Sequence, residues 1–400
     1  MTIALRVAAA FVLSLCSLAQ AQEPIKIGVV LELSGRFSAF GHTCETGVKF
    51  ASEVWGDTVA GRKIEFLYND DQSDAAATVA TLTHLISQDK INYLMGPLSS
   101  PIAAAAIGPW RQGKPIWFVP GGSTTTIEKE VGPEPMFFHT LPYAYHYYKT
   151  ITEALKYQLD TTKKKVAILY VDDNYGRTHQ PLAHQYFTQA GFEIVAEEVV
   201  RANSPDLNPV LTKIAQTKPD ILLGIGQTTD SVTLAKQLYT RNLNIPYLIG
   251  PGSTQLREWQ DSAGEAQEGW IGIAYYVPGV VNWPANKDYP RVLPSTAEWE
   301  KMFEARFKYE PNYHNLVCYI NIMQLLIAIE KVGDDKEKVA AEIAKMDLMT
   351  PMGSGKFAPT GQGTLNQSFK DMMVFQRHNG KNVLLFPAEV ATGKIAVAPR

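Results

Sequence analysis

Two stretches of this chain end an apolar run on hydroxyl groups. Residues 91–98 close on Leu98 and run directly into Ser99 and Ser100, with Pro101 and a series of alanines behind them. Residues 116–119, "IWFV", lead into "PGGSTTT", which brings Gly121, Gly122 and Ser123 to the next strand end. Proline in a first helical turn sacrifices no useful donor, and glycine lets a backbone amide approach a ligand closely. Hydroxyls and free amides at neighbouring strand ends are donors, and donors there grip a carboxylate or another small polar head. Either loop alone is an ordinary helix cap. Together they read as a site. Phe40, Tyr175, Tyr275, Tyr276 and Tyr313 fall at expected loop or strand-end positions, where an aromatic ring closes over a ligand. Tyr175, in "DDNYGR" directly after a strand, is the strongest of these.

Other chemistry finds no support. "MGSGKF" at 352–357 lacks the first glycine of a phosphate loop, and Phe357 stands where a magnesium-binding hydroxyl is required. His179 and His184 are five residues apart with Pro181 between them, so they do not share one helix face as zinc ligands do. No Gly-x-Ser-x-Gly elbow, no paired-cysteine metal pattern and no nucleophile with an evident base occurs. The expectation is a protein without catalytic residues, metal or cofactor, and an exported hydrolase is disfavoured.

These strand ends must be held by a frame, and the frame is an alternation. "IKIGVVLEL" (25–33) is apolar on both faces, as buried parallel strands are. A helix over 42–55, the strand "KIEFLYND", a helix over 74–88, "INYLMGPL", a helix after Pro101 and "KPIWFVPG" follow. After "FHTLP" the pattern restarts with a helix from about Tyr145, then "KKVAILYVDD", "FEIVAEEVV", "DILLGIGQ", "IPYLIGPG" and "GWIGIAYYVPG", separated by helical segments. Right-handed crossovers turn each series into a doubly wound parallel sheet. The expected fold is α/β, with two such lobes joined by a three-strand hinge. The crossings are placed near Thr140, Tyr276 and Met352. That assigns 25–139 and about 277–350 to the first lobe, and 140–276 and about 351–400 to the second.

Length and composition agree. A chain of 400 residues is long enough for two cores, and 46% hydrophobic against 19% charged residues implies a globular chain. A net charge of −3 without a basic cluster argues against nucleic acid and against a membrane-surface footprint. Residues 1–21 carry one arginine, an apolar stretch from Val7 to Leu18 and then Ala19-Gln20-Ala21. That is a cleaved export signal, too short to span a bilayer. Leu15 before Cys16 disfavours a lipoprotein reading. No other segment reads as apolar over about 20 residues, so the mature chain is expected in an exported compartment. Cys44 and Cys318 are read as packing residues, and their pairing is left open.

"IKIGVVLELSGRFSAFG", "NDDQSD", "GPLSS", "FVPGGST" and "DDNYG" resemble, in order and spacing, the type I periplasmic solute-binding proteins of ABC transporters. The likeness is greatest to the leucine/isoleucine/valine group, whose members bind amino acids and amides. The resemblance implies two lobes, three crossings and a ligand held between them, delivered to an inner-membrane permease by a monomer. It implies that Ser100 binds the ligand carboxylate, that Gly121 adds a backbone amide and Ser123 a hydroxyl, and that Phe40 and Tyr175 supply aromatic contacts. Gln227 stands where a second-lobe contact, commonly tyrosine, is expected. Amino-acid-binding members place a glutamate after the second lobe's "IGP" strand. Here Gly252 or Ser253 occupies that place, leaving Asp172, Asp173 or Asp230 as substitutes. The amino-terminal disulfide of some members is missing, because Ser73 and Ser99 fall at its positions. An unpaired ammonium is costly to bury. The expected ligand is therefore a small carboxylate, an aromatic acid above all. The alternatives are a branched-chain amino acid or amide receptor, and the ligand-sensing module of a signalling system.

Overall fold

The computed structural model describes residues 23–160, 162 and 164–399; the expected export signal lies outside the described residues. The first lobe is built from β1 (Ile25–Leu31), α1 (Ser38–Trp55), β2 (Thr58–Val59), β3 (Arg62–Asp70), α2 (Ala75–Ser87), β4 (Tyr93–Met95), α3 (Ser100–Gly113), β5 (Ile116–Val119), α4 (Thr125–Val131) and β6 (Phe137–His139). The second repeats the plan with α5 (Ala144–Gln158), β7 (Lys165–Val171), α6 (Asn174–Gln189), β8 (Glu193–Val200), α7 (Asn208–Gln216), β9 (Ile221–Ile225), α8 (Thr228–Arg241), β10 (Tyr247–Ile249), α9 (Arg257–Ala263) and β11 (Trp270–Ala274). The rest is α10 (Thr296–Phe307), α11 (Tyr313–Val332), α12 (Lys336–Lys345), β12 (Met349–Thr350), β13 (Gly353–Ser354), β14 (Asn366–Gln367), β15 (Met373–His378) and β16 (Lys381–Phe386).

The two main sheets run β14-β6-β5-β4-β1-β3-β2 and β16-β15-β11-β10-β9-β7-β8. Each reverses direction of winding beside its first strand, at β1/β4 and at β7/β9, and open α/β sheets bind ligands at such points. The parallel expectation holds for the centre of both sheets. The edges depart from it, because β2 pairs antiparallel with β3, and β15 pairs antiparallel with both β11 and β16.

The chain passes between the sheets after His139, after Ala274 and between Gln367 and Met373. The third passage is later than the expected Met352. β14 joins the first sheet beside β6, with Asn366 opposite Phe138, so the segment around 351–367 stays with the first lobe. A two-residue edge strand is held by backbone pairing and carries no apolar periodicity to betray it.

α11 is long and apolar enough to cross a bilayer, contrary to the expectation that no such segment follows the export signal. Its apolar window is 83% buried inside the protein, which makes it a core helix. α1 lies against it, and Cys44 and Cys318, both fully buried, are joined in a disulfide with their Cα atoms 5.4 Å apart. The packing-residue reading is thereby corrected. A separation of 274 residues says nothing about proximity until the helices are docked.

Candidate functional site

The site begins behind the cleft, at the carboxyl end of β1. Glu32 is fully buried, and its carboxylate accepts hydrogen bonds from the backbone amides of Leu98 (3.2 Å) and Ser99 (2.7 Å). This fixes the turn that carries Ser99 into the amino-terminal end of α3, with Ser99 as N-cap and Ser100 as the first helical residue. Burial pushes the Glu32 carboxyl up. Asp71, buried nearby, is pushed up to about 8 by burial and by the Glu32 charge. Ser73 holds the neighbouring loop by hydrogen bonds instead of a disulfide: its hydroxyl donates to the Ser34 carbonyl (2.6 Å) and accepts from the Phe37 amide (3.0 Å). The loop so pinned delivers Phe40 to the cleft.

Gly121 is dictated by contact. A Cβ there would sit 2.4 Å from the Leu98 carbonyl oxygen, so only glycine lets the loops after β4 and β5 lie together. Gly252, after β10, has φ +110°, and a Cβ on it would lie 2.9 Å from the Tyr175 hydroxyl, which donates to the Pro251 carbonyl at 2.9 Å. A glutamate at this position is excluded by backbone conformation and by Tyr175 together.

Most residues singled out from sequence line one interlobe cleft: Phe40, Ser99, Ser100, Gly121, Gly122, Ser123 and Tyr313 from the first lobe, and Tyr175, Gln227 and Gly252 from the second. Phe40 and Tyr175 belong to the first turns of α1 and α6, not to loops, and Gln227 is the N-cap of α8. The cleft therefore collects helix amino-terminal ends from both lobes, an arrangement that favours negative charge.

Tyr276 is an exception. Its hydroxyl donates to Glu300 (2.8 Å) and its ring packs on Trp299, away from the cleft. The adjacent Tyr275 faces the other way, with its ring edge-on to Tyr313 at 4.9 Å and its hydroxyl donating to Tyr147, so it backs the cleft wall instead. Just past a strand end, neighbouring side chains point to opposite sides, and the two tyrosines could not be told apart from composition.

The candidate substitute acids are engaged elsewhere. Asp172 pairs with Arg177 at 2.6 Å on the surface. Asp173 and Asp230 both pair with Arg36 of the first lobe, at 2.9 and 2.5 Å. Asp173 also caps α6 through the Gly176 amide, and Asp230 accepts from the Asn203 amide. Among the described residues, no carboxylate lines the cleft.

Sequence reasoning missed Tyr147 and His314, which line the cleft, and His179 just behind it. His179 is fully buried. One ring nitrogen, Nε2, lies 2.8 Å from the Ser123 hydroxyl across the lobe boundary, and Nδ1 lies 2.9 Å from the Tyr148 hydroxyl. Its ring lies 3.9 Å from that of Tyr175, one helical turn before it. Burial pulls the imidazole down to about 3, so it is neutral. The signal lies in the i, i+4 spacing to Tyr175, not in the five-residue spacing to His184. Beside it, Thr124 and Thr178 share a 2.7 Å hydrogen bond, also between lobes.

The chain belongs to the periplasmic binding protein family, whose sequence profile matches residues 24–381. It is 25% identical over 398 residues to Leu/Ile/Val-binding protein homolog 7 of Brucella suis biovar 1, covering 95% of this chain and 96% of that protein. A leucine binding protein from Thermotoga maritima superposes with a TM-score of 0.77 at 20% identity, over 90% of this chain and 97% of that one. A solute binding protein of an ABC transporter from R. palustris, crystallised with benzoate, superposes with a TM-score of 0.76 at 22% identity, over 94% and 98% of the two chains.

Proposed function

We propose that this chain is the exported receptor of an ABC importer. In this reading it closes its lobes on a small organic carboxylate, an aromatic acid above all, and passes it as a monomer from the periplasm to an inner-membrane permease. The observation that carries the ligand class is the composition of the cleft wall. It offers the Ser99, Ser100 and Ser123 hydroxyls, the loop amides around Gly121 and the Gln227 amide, and no acid to meet an ammonium. An amino acid would bury its ammonium without a countercharge, at a cost of several kcal/mol. Phe40, Tyr147, Tyr175 and Tyr313 suit the ring. The benzoate complex of the R. palustris protein supports the same reading.

Ligand binding stabilises only the folded chain, so melting shifts identify the ligand class. Benzoate and hydroxybenzoates are expected to raise the melting temperature, and leucine, isoleucine and valine to leave it unchanged. Strong shifts with leucine or valine and none with aromatic acids overturn the assignment. They would establish the second reading, a branched-chain amino acid receptor, which the names of the Brucella and Thermotoga proteins favour. Mass spectrometry of a molecule released from the purified protein by denaturation tests both readings directly.

A further inference from the structure

The Ser123–His179 pair has the spacing of a nucleophile and its base, and the third member of the group decides whether it is one. Tyr148 is fully buried, and its hydroxyl has one hydrogen-bond partner among the described residues, the His179 Nδ1 at 2.9 Å. A buried hydroxyl that does not donate leaves its proton unpaired, which is expensive. Tyr148 therefore donates, and Nδ1 accepts. A neutral imidazole has one ring proton, which must then sit on Nε2. From there it points at the Ser123 oxygen 2.8 Å away. Ser123 accepts this bond and keeps its own proton.

We infer that His179 is a positioning residue for ligand capture: the chain Tyr148 to His179 to Ser123 fixes the direction of hydrogen bonding so that the Ser123 hydroxyl donates into the cleft. The inference rests on the proposed carboxylate reading for the identity of what receives that proton. Ser123 belongs to the first lobe, while Tyr148 and His179 belong to the second. The Nε2–H reaches Ser123 only when the lobes meet, so closure itself turns the serine into a committed donor. A ligand carboxylate in the cleft is a strong acceptor for the Ser123 proton so released. The same geometry removes the hydrolase reading. A histidine whose Nε2 already carries the proton cannot take one from Ser123, so the pair lacks a base.

Nitrogen-15 NMR of histidine-labelled protein tests the direction without any ligand. The expected signature is an Nε2–H tautomer for His179 with Nδ1 as acceptor, giving way to a mixture in Tyr148→Phe. An Nδ1–H tautomer in the parent overturns the inference, whatever the protein binds. Calorimetric titration with benzoate supplies the second reading. Tyr148→Phe should weaken binding about 3- to 10-fold, the loss of one oriented hydrogen bond. Placed on Ser123→Ala, the same change should have no further effect, because Tyr148 acts only through that hydroxyl. Additive losses overturn the inference, since a general packing role would add. Labelling of Ser123 by a fluorophosphonate would show a working base and equally overturn it. If benzoate fails to bind the parent, the ligand assignment falls, and the tautomer still decides the relay.

Discussion

Two patches join the lobes across the cleft, and they are chemically opposite. One is ionic: Arg36 reaches from the first lobe to Asp173 and Asp230, the amino-terminal carboxylates of α6 and α8. The other is neutral: Ser123 meets His179 and Thr124 meets Thr178. Charge attraction acts over a distance and is indifferent to what lies in the cleft, but salt weakens it. Neutral hydrogen bonds have no reach beyond contact, yet here they involve Ser123, a residue of the cleft wall. The ionic patch can draw the lobes together, and the neutral patch reads what has been caught.

The disulfide offers the largest effect and serves as the control. It joins α1 to α11, and neither cysteine belongs to either patch. Replacing Cys44 and Cys318 by alanine should lower unfolding free energy by about 4 kcal/mol. Ligand affinity, measured by titration, should stay as it was. A matching loss of affinity would mean that lobe stability and closure are not separable.

Next comes the neutral side. Ser100→Ala with Ser123→Ala removes two donors to a charged headgroup and should weaken carboxylate binding about 100-fold or more. Salt dependence should be unaltered. Arg36→Met tests the ionic side, leaving Asp173 and Asp230 without their shared partner. Affinity for any ligand should fall about 10-fold through a smaller closed population, and small-angle scattering should show a more open molecule. Loss of affinity for carboxylates alone would place Arg36 in ligand recognition and erase the contrast.

The last contrast is in pH dependence, where two buried groups act with opposite sign. Asp71 titrates at about 8 in the folded chain, above its ordinary 3.8. The folded form holds a proton there that the unfolded form has released, so this stability is full below about pH 4 and is lost as pH rises through about 8. Asp71→Asn should flatten that decline in urea unfolding midpoints measured between pH 5 and 8. His179, drawn down from 6.5 to about 3, contributes stability above pH 6.5 that is lost as pH falls toward 3. His314 at about 3, and His139 and His146 at about 4, act in the same direction through burial.

The parts of the site that were legible are those where local chemistry and position coincide. Ser99, Ser100, Gly121 and Ser123 stand at strand ends, where helix starts need small and hydroxylated residues for their own sake. Tyr175 and Gln227 follow strands of the second series for the same reason. Tyr276 failed because register beyond a strand end depends on the neighbouring strand, and β15 arrives about a hundred residues later in the chain. Cys44 and Cys318, and Arg36 with its two aspartates, failed because their partners are set by docking of separate units. His179 failed because a buried polar ring is recognised by its hydrogen-bond partners, and Ser123 and Tyr148 come from other elements.

By itself the sequence determined the alternation of buried strands and amphipathic helices, and with it two parallel-centred sheets whose carboxyl ends carry hydroxyls and glycines. Periodicity and turn chemistry act over a few residues, so they can be read locally. Only the tertiary structure decided which charges cancel across the cleft, which cysteines meet, where the chain leaves the first lobe for the last time, and which way the proton of Ser123 points. Each of those depends on a partner tens to hundreds of residues distant, and distance along the chain carries no information about contact until the two lobes are packed.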